Sequence, residues 1–291
     1  MPVFMVCCAI VALSSGAAAQ AQSEPALDPA PKPIRVVTFN LYNRPTKRAL
    51  RLDRIEAVLE ALDADVVALQ EVARYFRSDP DPAARFAARL GYAHHLHWNE
   101  DSLWFSTGEA VLSRFPIREQ GGKTFRRNQL FDNKGYAWVV LETPQGPLGV
   151  VSVHLVSEQG GDTKADEIDE LKHFVAALAK RVPVVLAGDF NEPYDTPLMQ
   201  WLAQSLALAN LFTSVPRGPA ALKTWAGGYG NACDDPSAER IDAIYLAPRQ
   251  LRSDLPPRWR FVEGGVVATV EPYPSDHCPV AAAIRLEGGS Q

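Results

Sequence analysis

"YAWVVLETPQGPLGVVSVHL", residues Tyr136–Leu155, holds two runs of β-branched and bulky apolar residues parted by Thr-Pro-Gln-Gly. Two such runs around a Pro-Gly turn predict adjacent antiparallel strands. A hairpin in the middle of the chain rules out a sheet made only of parallel crossovers. Yet crossovers flank it. Upstream, "IRVVTFNLY" (Ile34–Tyr42) and "ADVVALQEV" (Ala64–Val72) read as strands on either side of "RLDRIEAVLEAL", where Ile55, Val58, Leu59 and Leu62 share one helical face. "DPAARFAARLG" (Asp81–Gly91) predicts a short helix stopped by Gly91, and "GEAVLSRFPI" (Gly108–Ile117) a strand closed by Pro116. Downstream, residues 163–180 place Ile168, Leu171, Phe174, Val175 and Leu178 on a helical stripe, and "VPVVLAGDF" (Val182–Phe190) is a buried strand. "TPLMQWLAQSLAL" reads as a helix, and "RIDAIYLA", "RWRFVEGGVVATV" and "CPVAAAIRL" as three closing strands. Hairpins mixed with crossovers suit two packed sheets flanked by helices. No fixed-period repeat and no internal boundary is visible after Ile34.

The chain has 291 residues, 47% of them hydrophobic, and a formal charge of −5, the profile of a globular protein with a sizeable core. The first 21 residues carry no charged side chain, and "VFMVCCAIVAL" (Val3–Leu13) is too short to span a bilayer. With the A-x-A patterns that follow, residues 1–21 are expected to be a signal peptide, residues 22–33 a Pro/Ala-rich linker, and residues 34–287 the folded domain of a periplasmic or secreted protein. Cleavage leaves Cys233 and Cys278. An exported protein could pair them, but the place of Cys278 at a strand start suits a small packed side chain, and two free thiols are expected.

Polar residues recur at the strand ends. Asn40 follows "VVTF", Glu71 follows "VVALQ", and His154 follows "VVSV". Asp189 and Asn191 follow "VVLAG", Asp242 opens "AIYLA", and Asp276 and His277 precede "PVAAAI". Singly, each has a bland explanation: turn residues for Asn40 and Asp189, a solvated charge for Glu71, a satisfied core histidine for His154. Together they would form one rim of chemistry-bearing groups. The stretch "KTFRRNQLFDNKG" adds Lys123, Arg126, Arg127 and Lys134, which could meet a phosphate or simply decorate a hairpin. "HHLHW" (His94–Trp98) would set His95 and His97 on one strand face, more readily a polar face than a metal site.

In order, "TFNLY", "LQE", "VHL", "GDFN", "RID" and "SDHCP" resemble the motif series of the endonuclease/exonuclease/phosphatase superfamily, over about residues 34–287. The resemblance implies an α/β fold of four layers, two mixed β-sheets packed face to face and flanked by helices. It implies a hydrolase that cleaves a phosphodiester or phosphomonoester by in-line attack of an activated water. Glu71, with Asn40 and Asp276, would hold Mg2+ (Mn2+ or Ca2+ being possible substitutes). Asp189 and Asn191 would orient the water and the phosphate oxygens. Asp242 would pair with His277, the expected general base. His154, supported by Glu109, would contact the phosphate and protonate the leaving oxygen. Arg126, Arg127 and Lys134 are expected to bind substrate. The substrate could be nucleic acid, a phospholipid headgroup or a small phosphodiester; an inactive binding protein on the same fold is the reading of another class. No protein partner is implied, and a monomer is expected. The helix after "VHL", where members often carry Arg-x-x-Gln, reads "TKADEIDELKHF" instead. An Asp242–His277 contact would place the strand opened by Asp242 next to the one following His277 in a single sheet. No amphipathic membrane helix or apolar wedge is identifiable from the sequence.

Overall fold

A computed structural model describes residues 31–126, 133–157, 161–215, 222–231, 233–234, 238–247 and 259–286; the expected signal peptide and Arg127 lie outside the described residues. In chain order the elements are β1 (Ile34–Asn40), α1 (Arg48–Leu62), β2 (Val66–Arg74), α2 (Pro82–Leu90), β3 (Ala93–Asp101), β4 (Ser106–Ser113), β5 (Ile117–Thr124), β6 (Gly135–Thr143), β7 (Gly146–His154), α3 (Asp162–Ala179), β8 (Val184–Asp189), α4 (Pro197–Ser205), β9 (Ala209–Asn210), α5 (Leu211–Ser214), β10 (Asp242–Ala247), β11 (Trp259–Val266) and β12 (Val280–Leu286).

They build two six-stranded mixed sheets, ordered β11-β12-β1-β2-β4-β3 and β5-β6-β7-β8-β10-β9. Each sheet buries both faces. Val36, Ala68 and Val111 of the first meet Val150, Val185 and Ile244 of the second in a shared apolar layer. Ile55, Leu59 and Phe86 of α1 and α2 cover the outer face of the first sheet. Ile168, Leu171 and Val175 of α3, with Met199 and Leu202 of α4, cover the second. This is the expected four-layered sandwich, and two-sided burial explains why the strands read as nearly continuous apolar runs. Helix α2 is punctuated as its sequence suggests: Asp81 accepts from the Ala83 amide, Pro82 opens the first turn, and Gly91 closes the helix at φ 71°. His95 and His97 reach across to β5, at the Gly121 carbonyl (2.9 Å) and the Thr124 hydroxyl (3.2 Å). They are inter-sheet hydrogen-bonding groups. Strand β5 itself was not expected, because Gly121 and Gly122 interrupt any apolar run.

Two expectations are corrected. Strands β10 and β12 are not neighbours: β10 pairs with β8 and β9, β12 with β1 and β11. They belong to opposite sheets, and Asp242 and His277 meet across the sandwich from facing strand ends. Nor are the cysteines free; Cys233 and Cys278 form a disulfide, with Cα atoms 6.3 Å apart. The loop before β10 lies against the segment before β12, through Cys278 N–H to the Thr224 carbonyl (2.7 Å) and Ala226 N–H to the Asp276 carbonyl (2.8 Å). That pairing joins sulfurs 45 positions apart in sequence. Replacing both cysteines by alanine is expected to cost about 2–4 kcal/mol in a denaturant titration, since the link restricts the unfolded chain. An unfolding midpoint unmoved by the replacement would contradict the assignment.

Candidate active site

The second sheet aligns three functional side chains by register. His154 stands beside Asp189 in the parallel β7–β8 pair, and Asp189 stands opposite Asp242 in the antiparallel β8–β10 pair. Gly188 allows this close approach, because a Cβ there would lie 2.0 Å from the Val153 carbonyl oxygen. Two carboxylates directly opposite one another are unfavourable. Burial first, and the Asp242 charge second, push the Asp189 carboxyl up to about 7, against the nearby His277 and the Asn191 amide. His277, from the other sheet, sets Nδ1 2.8 Å from Asp242 Oδ2 and Nε2 3.7 Å from Asp189 Oδ2. Burial alone would lower its pKa; Asp242, Asp189 and Asp276 outweigh that and raise it to about 10. Thr224, whose hydroxyl accepts the Ile241 and Asp242 amides, holds the start of β10.

The first sheet supplies the carboxylates that face the open pocket. Strand β2 bulges between Leu69 and Val72, so Gln70 and Glu71 together oppose Glu109 of β4. Gln70 points between the sheets, to Ser152 Oγ (2.9 Å). The extra residue, with Glu71 at φ 55°, turns the Glu71 side chain to the rim instead. Positive φ at a non-glycine residue is backbone strain of the kind found at functional sites. Glu71 accepts the Asn43 amide (2.7 Å) and the Asn40 side-chain amide (3.3 Å). The same Asn40 nitrogen reaches Asp189 Oδ2 at 2.9 Å and ties the two sheets together at the site. Asp276 lies on this side too, and its carboxyl is raised by burial and further by the Glu71 charge.

His154 is buried at the back. Asn191 Nδ2 (3.1 Å) and Lys134 Nζ (3.2 Å) approach its Nε2, and Glu109 lies 3.8 Å from Nδ1. Burial, then the charges of Lys134 and His277, hold its pKa well below the usual imidazole value. Lys134 Nζ also stands 3.5 Å from Nδ1, and Asp189 Oδ2 lies 3.5 Å from Nε2, so both ring nitrogens have polar neighbours. Burial likewise lifts the Glu109 carboxyl well above its ordinary range, although the Asn99 amide bonds to it.

Glu71, Glu109, Lys134, His154, Asp189, Asn191, Asp276 and His277 line one pocket of about 610 Å³. Arg126 lies elsewhere, in a cleft with Asp166 and Glu170. The sequence reading missed Lys164, which is fully buried; its ammonium donates to the Asn191 carbonyl and lies 3.5 Å from Glu192. It thereby holds Asn191, itself left-handed at φ 48°. A signal existed: extended one helical turn back, the Ile168–Leu171–Val175 stripe lands on a charged residue.

Among the described residues, Asp189, Asp242 and His277 bring ligand atoms within 4.8 Å of one another. His277 and Asp242 already satisfy each other there by hydrogen bonding. Glu71 and Asp276 offer a second set of carboxylate oxygens, the ligand type a hard divalent cation takes. Both line the pocket, the Glu71 charge adds to burial in raising the Asp276 carboxyl, and a cation beside the carboxylates would relieve that repulsion.

The sequence profile of the endonuclease/exonuclease/phosphatase family matches residues 37–277. No curated protein matches the chain in sequence. Among solved structures, an endonuclease/exonuclease/phosphatase from Beutenbergia cavernae is 26% identical, with a TM-score of 0.69 over 89% of this chain and 72% of that one. The Bacteroides thetaiotaomicron mannosyl-6-phosphatase (18% identity, TM-score 0.67, 86% and 99% covered) shares the fold. So does D. rerio TDP2 bound to a single-strand DNA product (18%, 0.66, 87% and 99%). The chain belongs to the endonuclease/exonuclease/phosphatase family, whose members are phosphoester hydrolases.

Proposed function

We propose that the protein is an exported, Mg2+-dependent phosphodiesterase. The observation that carries this reading is one pocket that brings together three devices: the carboxylates Glu71 and Asp276, His277 backed by Asp242, and the buried His154 with Asn191. A divalent ion on Glu71 and Asp276 would supply charge neutralisation at the phosphate and a more acidic bound water. Asn191 and Lys134 line the pocket with N–H donors that now rest on the His154 ring, and these would turn to phosphate oxygens on substrate binding. Asp189 Oδ2 lies between His154 Nε2 (3.5 Å) and His277 Nε2 (3.7 Å); Asp189, or His277 in its deprotonated form, would take the proton of an attacking water. Asp242 fixes the His277 ring by its hydrogen bond. His154, neutral before substrate arrives, would gain affinity for a proton as phosphate charge enters, and would deliver it to the leaving oxygen. The disulfide supports an oxidising compartment, periplasmic or extracellular.

The deciding measurement is hydrolysis of a panel comprising plasmid DNA, abasic DNA, RNA, sphingomyelin, phosphoinositides and a bis-aryl phosphate, each with Mg2+ and with chelator. Turnover that chelation does not reduce, or none on any phosphoester, would overturn the reading. His154→Ala is expected to slow an alkyl diester about 10²–10⁴-fold and an activated aryl diester much less, since a good leaving group needs little protonation. Equal losses on both substrates would assign His154 to phosphate binding alone.

A further inference from the structure

We propose that the β3–β4 turn and the adjoining Phe76 form an apolar wedge that inserts into a phospholipid surface, so that the pocket acts on membrane phosphodiesters. This rests on the phosphoesterase reading above and names its substrate class. The large apolar side chains Phe76, Leu103 and Trp104 are 50%, 65% and 71% exposed. They form one cluster: the Phe76 and Trp104 rings meet edge-on with centroids 6.1 Å apart, and the Arg77 amide donates to the Leu103 carbonyl (3.1 Å).

The turn is well built. Ser102 Oγ accepts the amides of Trp104 (3.3 Å) and Phe105 (3.0 Å) and donates to the Phe105 carbonyl (2.7 Å). The Ser102, Trp104 and Phe105 amides and the Phe105 carbonyl are thus engaged within the turn, and Leu103 and Trp104 stand exposed at its tip. Exposed apolar groups clustered in this way mark an interaction surface. A hairpin tip is convex and encloses no small ligand, and tryptophan with leucine and phenylalanine suits the boundary between headgroups and acyl chains.

The wedge is continuous with the pocket. Tyr75, next to Phe76, and Phe105, next to Trp104, both line the pocket. Their rings meet with centroids 5.6 Å apart. Insertion of the tip therefore brings the pocket mouth to the level of the lipid phosphates. Arg44 lines that pocket and would face those phosphates. Arg74 and Arg77 share Asp101 (2.7 and 3.5 Å), so they do not form the unshared basic track that a nucleic-acid backbone would follow.

The test compares wild type with Leu103→Ser/Trp104→Ser, and with the milder Trp104→Ala, for co-sedimentation with phosphatidylcholine vesicles with and without phosphatidylserine. Hydrolysis of the vesicle lipid and of a soluble bis-aryl phosphate is measured in parallel. Wild type is expected to sediment with vesicles. The double variant should bind about tenfold or more weakly and lose vesicle hydrolysis in proportion, yet keep soluble turnover within about twofold. A wild type that ignores vesicles, or variants that bind them equally well, would overturn the proposal. So would variants that lose affinity for a single-stranded oligonucleotide instead, which would make Trp104 a base-stacking platform. Vesicle binding by a wild type that hydrolyses no phosphoester would uphold the wedge and overturn the phosphoesterase reading.

Discussion

Glu71→Gln is expected to lower kcat by about 10³-fold or more while leaving the fold intact, because the amide keeps the shape of the side chain and loses its charge. Glutamine can still accept the Asn43 amide with its carbonyl oxygen, so the local hydrogen bond at 2.7 Å survives. On the metal assignment proposed above, what would disappear is a pocket carboxylate that acts on Asp276, and with it much of the attraction for a divalent cation. A factor of 10³ corresponds to about 4 kcal/mol of transition-state stabilisation, within what a charge-neutralising ion supplies. Calorimetric titration with Mg2+ should show markedly weaker binding, and the circular dichroism spectrum and melting temperature should stay close to wild type. Undiminished Mg2+ affinity together with normal turnover would remove Glu71 from the metal site.

The second large effect is a coupling. His277→Ala and Asp242→Asn should each cost about 10²–10⁴ in kcat/KM, and the double variant should lose little more than His277→Ala alone. The 2.8 Å contact makes the two residues one device. An asparagine would offer either a weaker acceptor or an amide N–H to His277 Nδ1, so the ring loses its fixed tautomer. The pH–rate profile carries a further signature. Removing the Asp242 charge takes away an interaction that favours the imidazolium, so the His277 pKa must fall and its limb of the profile must move to lower pH. Movement of the acidic limb identifies His277 as a base that works deprotonated; movement of the basic limb identifies it as a cation facing the phosphate. Losses that multiply in the double variant, with a profile that stays in place, would show that the residues act independently.

Much of the architecture was legible because it is written in local periodicity. The stripe of α3, the caps of α2 and the apolar runs of β1, β2, β7 and β8 are each properties of a short window, and the physics that makes them is local: side-chain direction, capping, and burial of one face. The polar residues at strand ends were legible for a related reason. A charged or hydrogen-bonding group breaking an apolar run marks where the strand leaves the core, and Asn40, Glu71, His154 and Asp189 do so at one rim. Contacts between distant segments were decided by the tertiary structure. The partnership of Asp242 with His277 was anticipated but placed in one sheet, whereas the residues reach across from two. The Cys233–Cys278 bond, the β2 bulge that turns Glu71 outward, and the support of Asn191 by the buried Lys164 all depend on which segments lie together. "SLWF" (Ser102–Phe105) has the composition of a core strand, and only its place at a hairpin tip leaves Leu103 and Trp104 in water. Residue type and spacing decide which face a side chain takes within its own element. Which element stands opposite is decided by packing the apolar area of the whole chain at once, and no single window contains that sum.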